Sequence, residues 1–269
     1  MRCSTERGVA MTDTDLETVA HWLAEAQSIV ILTGAGLSTE SGIPDFRGPK
    51  GVWTKNPAAE KTANLQYYVA DPEVRKAAWQ HRVNSEMWTA EPNDGHRAVT
   101  DLARVTNVHT VVTQNIDGLH QAAGLDPGRI VEIHGTVHLA KCLACSWRGP
   151  MAETLERVRA GEEDPACLAC GGILKSATIS FGENLMAADL ARSERAAARS
   201  DVFMALGTSL GVYPAAGLPE IALRNGARLV IFNAQATPFD DVADALDHGP
   251  LGTVLPALVG QVGNIRPAG

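Results

Sequence analysis

Five short apolar runs, each ending in small or polar residues, constrain this chain more than any other feature of its sequence. They span residues 29–32, 108–112, 130–133, 202–206 and 229–232, with helical stretches between them. Continuous apolar runs of this length suit strands buried on both faces of a parallel sheet, so the expected fold class is α/β. The runs are followed by Thr33-Gly34-Ala35-Gly36, Thr113-Gln114-Asn115-Ile116-Asp117, His134-Gly135, Gly207-Thr208-Ser209 and Asn233. The carboxyl ends of a doubly wound sheet form its ligand crevice. These five clusters are therefore expected to converge in space. A helix opens the fold, signalled by a capping box at Thr14-Asp15-Leu16-Glu17 and by helical spacing of Leu16, Val19 and Leu23.

Two stretches break this rhythm. Residues 48–92 are helical in tone and carry Trp53, Tyr67, Tyr68, Trp79 and Trp88, while residues 138–175 hold the paired cysteines. Together they predict a smaller domain (48–92 and 138–175) inserted into a larger one (11–47, 93–137 and 176–265). Cys142-x-x-Cys145 and Cys167-x-x-Cys170, the second followed by Gly171-Gly172, match a ribbon in which two tight turns present four thiolates tetrahedrally. A closed four-thiolate shell leaves no open position, so one structural zinc is expected.

The remaining motifs need each other. Gly34-Ala35-Gly36 after a strand is a dinucleotide signature, but Thr39 stands where a third glycine belongs. No acidic residue follows at the spacing that holds an adenosine ribose, and Asn233 is the candidate in its place. His134, between a strand and a glycine, is placed to take a proton near neutral pH beside Asn115 and Asp117. His96 and His120 are read as structural.

Taken in order, these residues resemble the sirtuin family. The resemblance runs through the stretch from Gly34-Ala-Gly-Leu-Ser38 to Ile43-Pro-Asp45-Phe46-Arg47, then Gln114-Asn-Ile-Asp-Gly-Leu-His120, His134-Gly135 and the four cysteines. It continues through Phe181-Gly182-Glu183, Gly207-Thr-Ser-Leu210 and Asn233. It implies a Rossmann-type large domain, a small domain of helices and zinc ribbon, and NAD spent as a co-substrate in deacylating protein lysines. The products it implies are free lysine, nicotinamide and an acyl-ADP-ribose.

By the same resemblance His134 is the general base, and Asn115 and Asp117 act around the nicotinamide and its ribose. NAD contacts are expected from Gly34, Ala35, Gly36, Ser38, Asp45, Phe46, Arg47, Trp53, Gln114 and Ile116. Further contacts are expected from Gly207, Thr208, Ser209, Asn233, Ala234, Gln235 and Leu251. Phe181-Gly182-Glu183 and Gly211-Val212-Tyr213 are expected to be two edges between which an acyl-lysine peptide adds as a strand. Members that prefer acidic acyl groups carry a Tyr-x-x-Arg pair. The similar stretches here are Trp79-Gln80-His81-Arg82, or Tyr67 or Tyr68 with Arg75. Mono-ADP-ribosyl transfer, NAD hydrolysis and a non-catalytic NAD-sensing module are the rival readings.

Composition excludes other classes. A net charge of −8 and a pI near 5.5 oppose a nucleic-acid binder, which must neutralise phosphates. No apolar run approaches the roughly 18–20 residues that cross a bilayer. The first ten residues contain Arg2 and Arg7 without an apolar segment, so no secretory signal is expected and Met11 is a candidate start. Metal-type cysteines and an Ala- and Arg-rich composition predict a reducing, cytoplasmic, bacterial setting.

Overall fold

The computed structural model describes residues 13–45, 51, 55 and 61–265. Six strands form one parallel sheet in the order β3-β2-β1-β7-β8-β9: β1 Ile29–Thr33, β2 Val108–Thr113, β3 Ile130–Glu132, β7 Val202–Leu206, β8 Arg228–Phe232 and β9 Ala245–Asp247. The five predicted runs are the first five of these. β9 was not signalled, being only three residues long with an aspartate at its end. The strand order reverses between β1 and β7, the position at which doubly wound sheets open a crevice.

Apolar clusters cover both faces of the sheet. One joins Leu16, Val19 and Leu23 of α1 (Asp13–Glu25) with Ile29, Ile31, Val111, Met204 and Val230, and with Leu255, Leu258 and Val262 of the last helix, α9 (Leu251–Ile265). The other joins Val30, Leu32, Val112, Phe203 and Ile231 with Leu218 and Ala222 of α8 (Leu218–Arg224) and Ala196 and Ala197 of α7 (Ala187–Ala197). Odd and even strand positions thus bury on opposite faces, which is why the runs are apolar throughout. Helix α1 already includes Thr14, so Thr14 is not the cap expected from the sequence.

The inserted stretches pack on each other. β4 (Gly135–Cys142) pairs antiparallel with β5 (Arg148–Pro150) and β6 (Leu174–Thr178), and α6 (Met151–Arg159) follows β5. A third cluster unites Trp79 of α3 (Pro72–Val83) with Ala140, Met151, Leu155, Val158, Leu174, Cys142 and Cys167. Preceding α3 is α2 (Leu65–Ala70), whose Tyr68 donates its hydroxyl to the Leu174 carbonyl at 2.7 Å. The helical stretch is bound to the ribbon through apolar contact and this buried hydrogen bond.

Candidate active site

The sheet reversal brings two glycine turns into contact. The Gly36 N–H donates to the Gly207 carbonyl at 2.9 Å, and Gly34 N–H to that of Leu206 at 3.0 Å. A Cβ on Gly34 would lie 2.7 Å from the Gly207 oxygen, and one on Gly207, where φ is 62°, would lie 2.4 Å from the Leu37 nitrogen. Glycine is required here by close approach and by the left-handed backbone at Gly207. Ala35 and Gly36 open a short 3-10 helix, Ala35–Ser41, and are half-buried at the crevice.

The β2 end supplies the polar groups. Asn115, nearly buried, donates through Nδ2 to the Gly34 carbonyl and to Ser38 Oγ, both at 3.0 Å. Ser38 Oγ donates to Asp117 Oδ2 at 2.7 Å, while Asp117 Oδ1 accepts the Leu119 N–H at 3.0 Å. Gln114 Nε2 reaches across the reversal to Thr208 Oγ1 at 2.8 Å. Residues far apart in sequence, 34 and 38, 114 to 117, and 207 and 208, thus form one hydrogen-bonded edge.

His134 closes this edge. Its Nδ1 lies 3.1 Å from the Gln114 carbonyl, which has no proton to give, so Nδ1 carries the hydrogen. Nε2 is left as the acceptor. Burial pushes its pKa below the ordinary imidazole value, opposed by the Gln114 contact. A neutral imidazole with its acceptor nitrogen uncommitted to that bond is the form a general base needs near pH 7.

Behind the site lies a buried layer. His96 Nε2 is 3.4 Å from Ser38 Oγ, and its ring meets His120 edge-on at 5.2 Å. His120 Nε2 is 3.0 Å from Thr33 Oγ1, itself bonded to Thr113 Oγ1 at 2.9 Å. Burial lowers His96 to about 4 against the pull of Asp117, and His120 to about 3, so both are neutral at pH 7. The sequence reading of both as structural missed that His96 supports Ser38 directly. Its only signal was the Asn93-x-x-His96 spacing, a capping box that starts α4 (Asp94–Val105).

Other expected contacts separate into three groups. Asn233 ends β8 with its N–H on the Asp247 carbonyl and its Nδ2 on that of Gln235 at 2.7 Å, while Ala234 and Gln235 are exposed. Ser209 is exposed and Thr208 buried at the β7 end; Ile116 and Asp45 are half-buried. The Leu251 side chain is 6% exposed and packs in the apolar cluster with the rest of α9, leaving its backbone for the expected contact. Phe46, Arg47 and Trp53 lie outside the described residues.

At the expected peptide edge, some groups are bonded within the chain. The Phe181 N–H donates to the Ala63 carbonyl at 2.9 Å and its own carbonyl accepts from Leu65 at 3.0 Å. Both backbone groups of Phe181 are thus engaged, and the residue is 36% exposed. The Glu183 carboxylate is likewise engaged, with Lys141 at 2.8 Å, Lys175 at 2.6 Å and the Ser180 N–H at 2.8 Å. Gly182 adopts φ 88°, turning the chain between them. Gly211 and Tyr213 are exposed and Val212 half-buried, with the Val212 carbonyl accepting the Ala216 N–H.

Of the Tyr and Arg side chains singled out in the helical insertion, Tyr67 is exposed, while Tyr68, Arg75 and Arg82 are engaged with the insertion's own groups and with the ribbon. Arg75 pairs with Asp164 at 2.9 Å and reaches the Tyr68 and Val69 carbonyls. Arg82 lies against the rings of Tyr68 and Trp79 and donates to Ser176 Oγ at 3.3 Å.

The four cysteine sulfurs lie within 4.8 Å of one another, with Cys142 and Cys170 at 3.5 Å and Cys145 and Cys167 at 3.8 Å. Tetrahedral zinc with Zn–S bonds of about 2.3 Å separates its sulfurs by about 3.8 Å, so the cluster fits that ion. A Cβ on Gly172 would sit 3.0 Å from Cys142 Sγ, which explains a glycine beside the second knuckle.

Comparison with known proteins agrees with this geometry. The sequence profile described as "Sir2 family" matches residues 34–214. The "NAD-dependent protein deacetylase 2" of Streptomyces coelicolor is 50% identical over 235 residues, 87% of this chain and 98% of that protein. A deacetylase of the same description from Geobacillus kaustophilus, numbered 1, is 40% identical over 253 residues, 93% of this chain and 100% of that protein. A solved structure described as a Sir2 complex with p53 peptide and NAD+ superposes with TM-score 0.83 at 32% identity, covering 93% of this chain and 99% of that one. Another, from work on the mechanism and regulation of Sir2 enzymes, has TM-score 0.85 at 38% identity, covering 95% and 100%. With its glycine turns, its polar β2 edge and its four-thiolate ribbon, the chain belongs to the Sir2 family, the sirtuins.

Proposed function

We propose that this protein removes acyl groups, acetyl foremost, from protein lysines at the expense of NAD, releasing nicotinamide, acyl-ADP-ribose and free lysine. The observation that carries the reading is the single hydrogen-bonded edge on which Gly34, Ser38, Asn115, Asp117, Gln114, Thr208 and His134 meet. The glycine turns at residues 34–36 and 207 allow the dinucleotide backbone to approach main-chain N–H groups closely. Asn233 suits the adenosine ribose.

NAD supplies the electrophilic sugar carbon and the leaving nicotinamide. Positive charge grows on the sugar as nicotinamide departs, and Asp117, oriented by Ser38 and the Leu119 N–H, is the nearby anion that stabilises it. The acyl oxygen of the lysine takes the vacated position. His134 Nε2 then accepts a proton from a ribose hydroxyl, made possible by the Nδ1 bond that fixes its tautomer. That hydroxyl attacks the former amide carbon, the C–N bond breaks as the lysine amine leaves with the proton, and one water adds to give acyl-ADP-ribose. The ring of Phe181 and the segment at Gly211, Val212 and Tyr213 line the acyl-lysine approach, so selection rests on lysine and acyl group more than on peptide sequence.

The ribbon zinc is structural. The residues assigned to it and to the helical insertion, 48–92 and 138–175, constitute the small domain, and 11–47, 93–137 and 176–265 the large one. Acidic charge and the four metal-type cysteines support a cytoplasmic protein acting on protein lysines rather than on nucleic acid. Among the described residues, no helix is long and apolar enough to cross a membrane. The test is nicotinamide release from NAD with and without an acetyl-lysine peptide. Release that requires the peptide, with equal acyl-ADP-ribose, supports deacylation. Equal release without peptide would assign NAD hydrolysis or ADP-ribosyl transfer.

A further inference from the structure

The loop from Gln114 to Asp117 is held from one side by a ladder of three donors. His134 Nδ1 faces the Gln114 carbonyl at 3.1 Å, the Val137 N–H donates to that of Ile116 at 3.0 Å, and His138 Nε2 faces that of Asp117 at 2.8 Å. All three donors lie at or just before the start of β4, the first strand of the ribbon. The pairing of β4 with β6 is irregular between Gly135 and Ala140, so this part of the strand turns its donors to the loop instead.

His138 is exposed as a residue, but the tip of its ring is closely fitted. Gly118 follows Asp117 with φ 74°, and a Cβ there would lie 2.6 Å from His138 Nε2, so the ring fills the space that glycine leaves. Trp88 of the helical insertion meets the same ring edge-on, centroids 5.9 Å apart. A carbonyl accepts only, so His138 carries its hydrogen on Nε2, the opposite tautomer to His134. One side chain thus touches the helical insertion, belongs to the ribbon and grips the loop that carries Asp117.

We propose that His138 is a positioning residue: by holding the Asp117 carbonyl it fixes the Asp117 carboxylate, and it transmits the placement of the zinc ribbon to the nicotinamide end of the NAD site. The inference rests on the deacylase reading and on the role given there to Asp117. By analogy with the partners that orient metal ligands, loss of such a supporting bond is expected to cost about 10- to 100-fold in activity.

The test compares His138→Leu, His138→Gln and His138→Asn in the full chain, reading kcat for peptide-dependent nicotinamide release, KM for NAD and for acetyl-lysine peptide, zinc content and melting temperature. A glutamine amide reaches the Nε2 position and donates; an asparagine amide falls short. The expected result is a kcat lowered about 10- to 100-fold in the leucine and asparagine variants, restored to within about threefold by glutamine. Zinc stays at one per chain, and the asparagine and glutamine variants melt alike. Full kcat in the leucine or asparagine variant overturns the inference. So does equal loss in asparagine and glutamine variants, which would assign His138 to packing. Asp117→Asn, run in parallel, separates the levels. If it leaves kcat unchanged, the role of Asp117 falls and this inference with it; if it lowers kcat while His138→Leu does not, only the inference falls. A wild-type protein with no peptide-dependent release removes the deacylase reading itself.

Discussion

The sheet and the ribbon hold their shapes by different physics. The six-stranded sheet is covered on both faces by apolar clusters that include its strands from end to end, and its site is a consequence of where those strands stop. The ribbon is three short strands with a small core to which two of its own metal-ligand cysteines, Cys142 and Cys167, belong. Buried area stabilises the first, at roughly 1.5–3 kcal/mol per fully buried aliphatic side chain. Metal stabilises the second. On the proposed reading the chemistry resides on the self-sufficient part, while β4, which runs from that part into the ribbon, supplies Val137 and His138 as supports for the loop that carries Asp117.

The sharpest way to break this contrast is to remove one thiolate. Cys167→Ala is expected to lose the ion and with it stabilisation on the order of 10 kcal/mol, unfolding the ribbon while the sheet persists. Metal analysis with hydrogen exchange checks this: amides of residues 135–178 should lose protection, and those of β1, β2, β7 and β8 should keep it. Global unfolding would mean the two parts are one cooperative unit.

Within the sheet edge, His134→Ala should lower kcat by about 100- to 10,000-fold without altering zinc content or melting temperature. A loss of zinc would move His134 from the chemistry to the ribbon.

A smaller effect concerns the junction at Glu183. Lys175 is 1% exposed and depends on this carboxylate, so Glu183→Gln leaves a buried cation unpaired and is expected to cost about 3 kcal/mol, read in a denaturant titration. Burial raises the Glu183 pKa, but Lys141, Lys175 and the Ser180 N–H outweigh it and bring the pKa to about 2. A depressed carboxylate pKa means stability that is complete above the ordinary carboxylate range and lost as pH falls toward 2. The wild type should therefore lose this increment in acid and the glutamine variant should not.

The smallest effect is on pH dependence. Catalysis needs His134 unprotonated, and burial depresses its pKa, so kcat should fall about tenfold per unit only below the ordinary imidazole pKa of about 6.5. An acid limb above that value in the wild type would contradict the assigned environment.

Much of this was legible in the sequence because strand ends and metal knuckles are local signals. Apolar runs ending in Gly34, Asn115, His134, Gly207 and Asn233 give the crevice through topology, and two Cys-x-x-Cys pairs give the ribbon through spacing. What was not legible depends on side-chain direction. Phe181 and Glu183 are expected at a strand edge; residues 63 and 65 hold both backbone groups of Phe181, and the Ser180 carbonyl holds the Glu183 N–H, which sequence alone does not show. Leu251 faces the core because it starts a helix whose apolar stripe packs there. His96 is signalled only by its capping-box spacing from Asn93, and His138 carries no motif of its own; the backbone turn at Gly118 and the irregular start of β4 reveal what His138 touches.

A crystal structure of the protein with NAD and an acetyl-lysine peptide tests the central claim most directly. The expected result is the nicotinamide ribose lying between Asp117 and His134, with Nε2 about 2.6–3.2 Å from a ribose hydroxyl. A dinucleotide seated away from the β1–β7 reversal, or a ribose out of reach of His134 with the peptide bound, would contradict it.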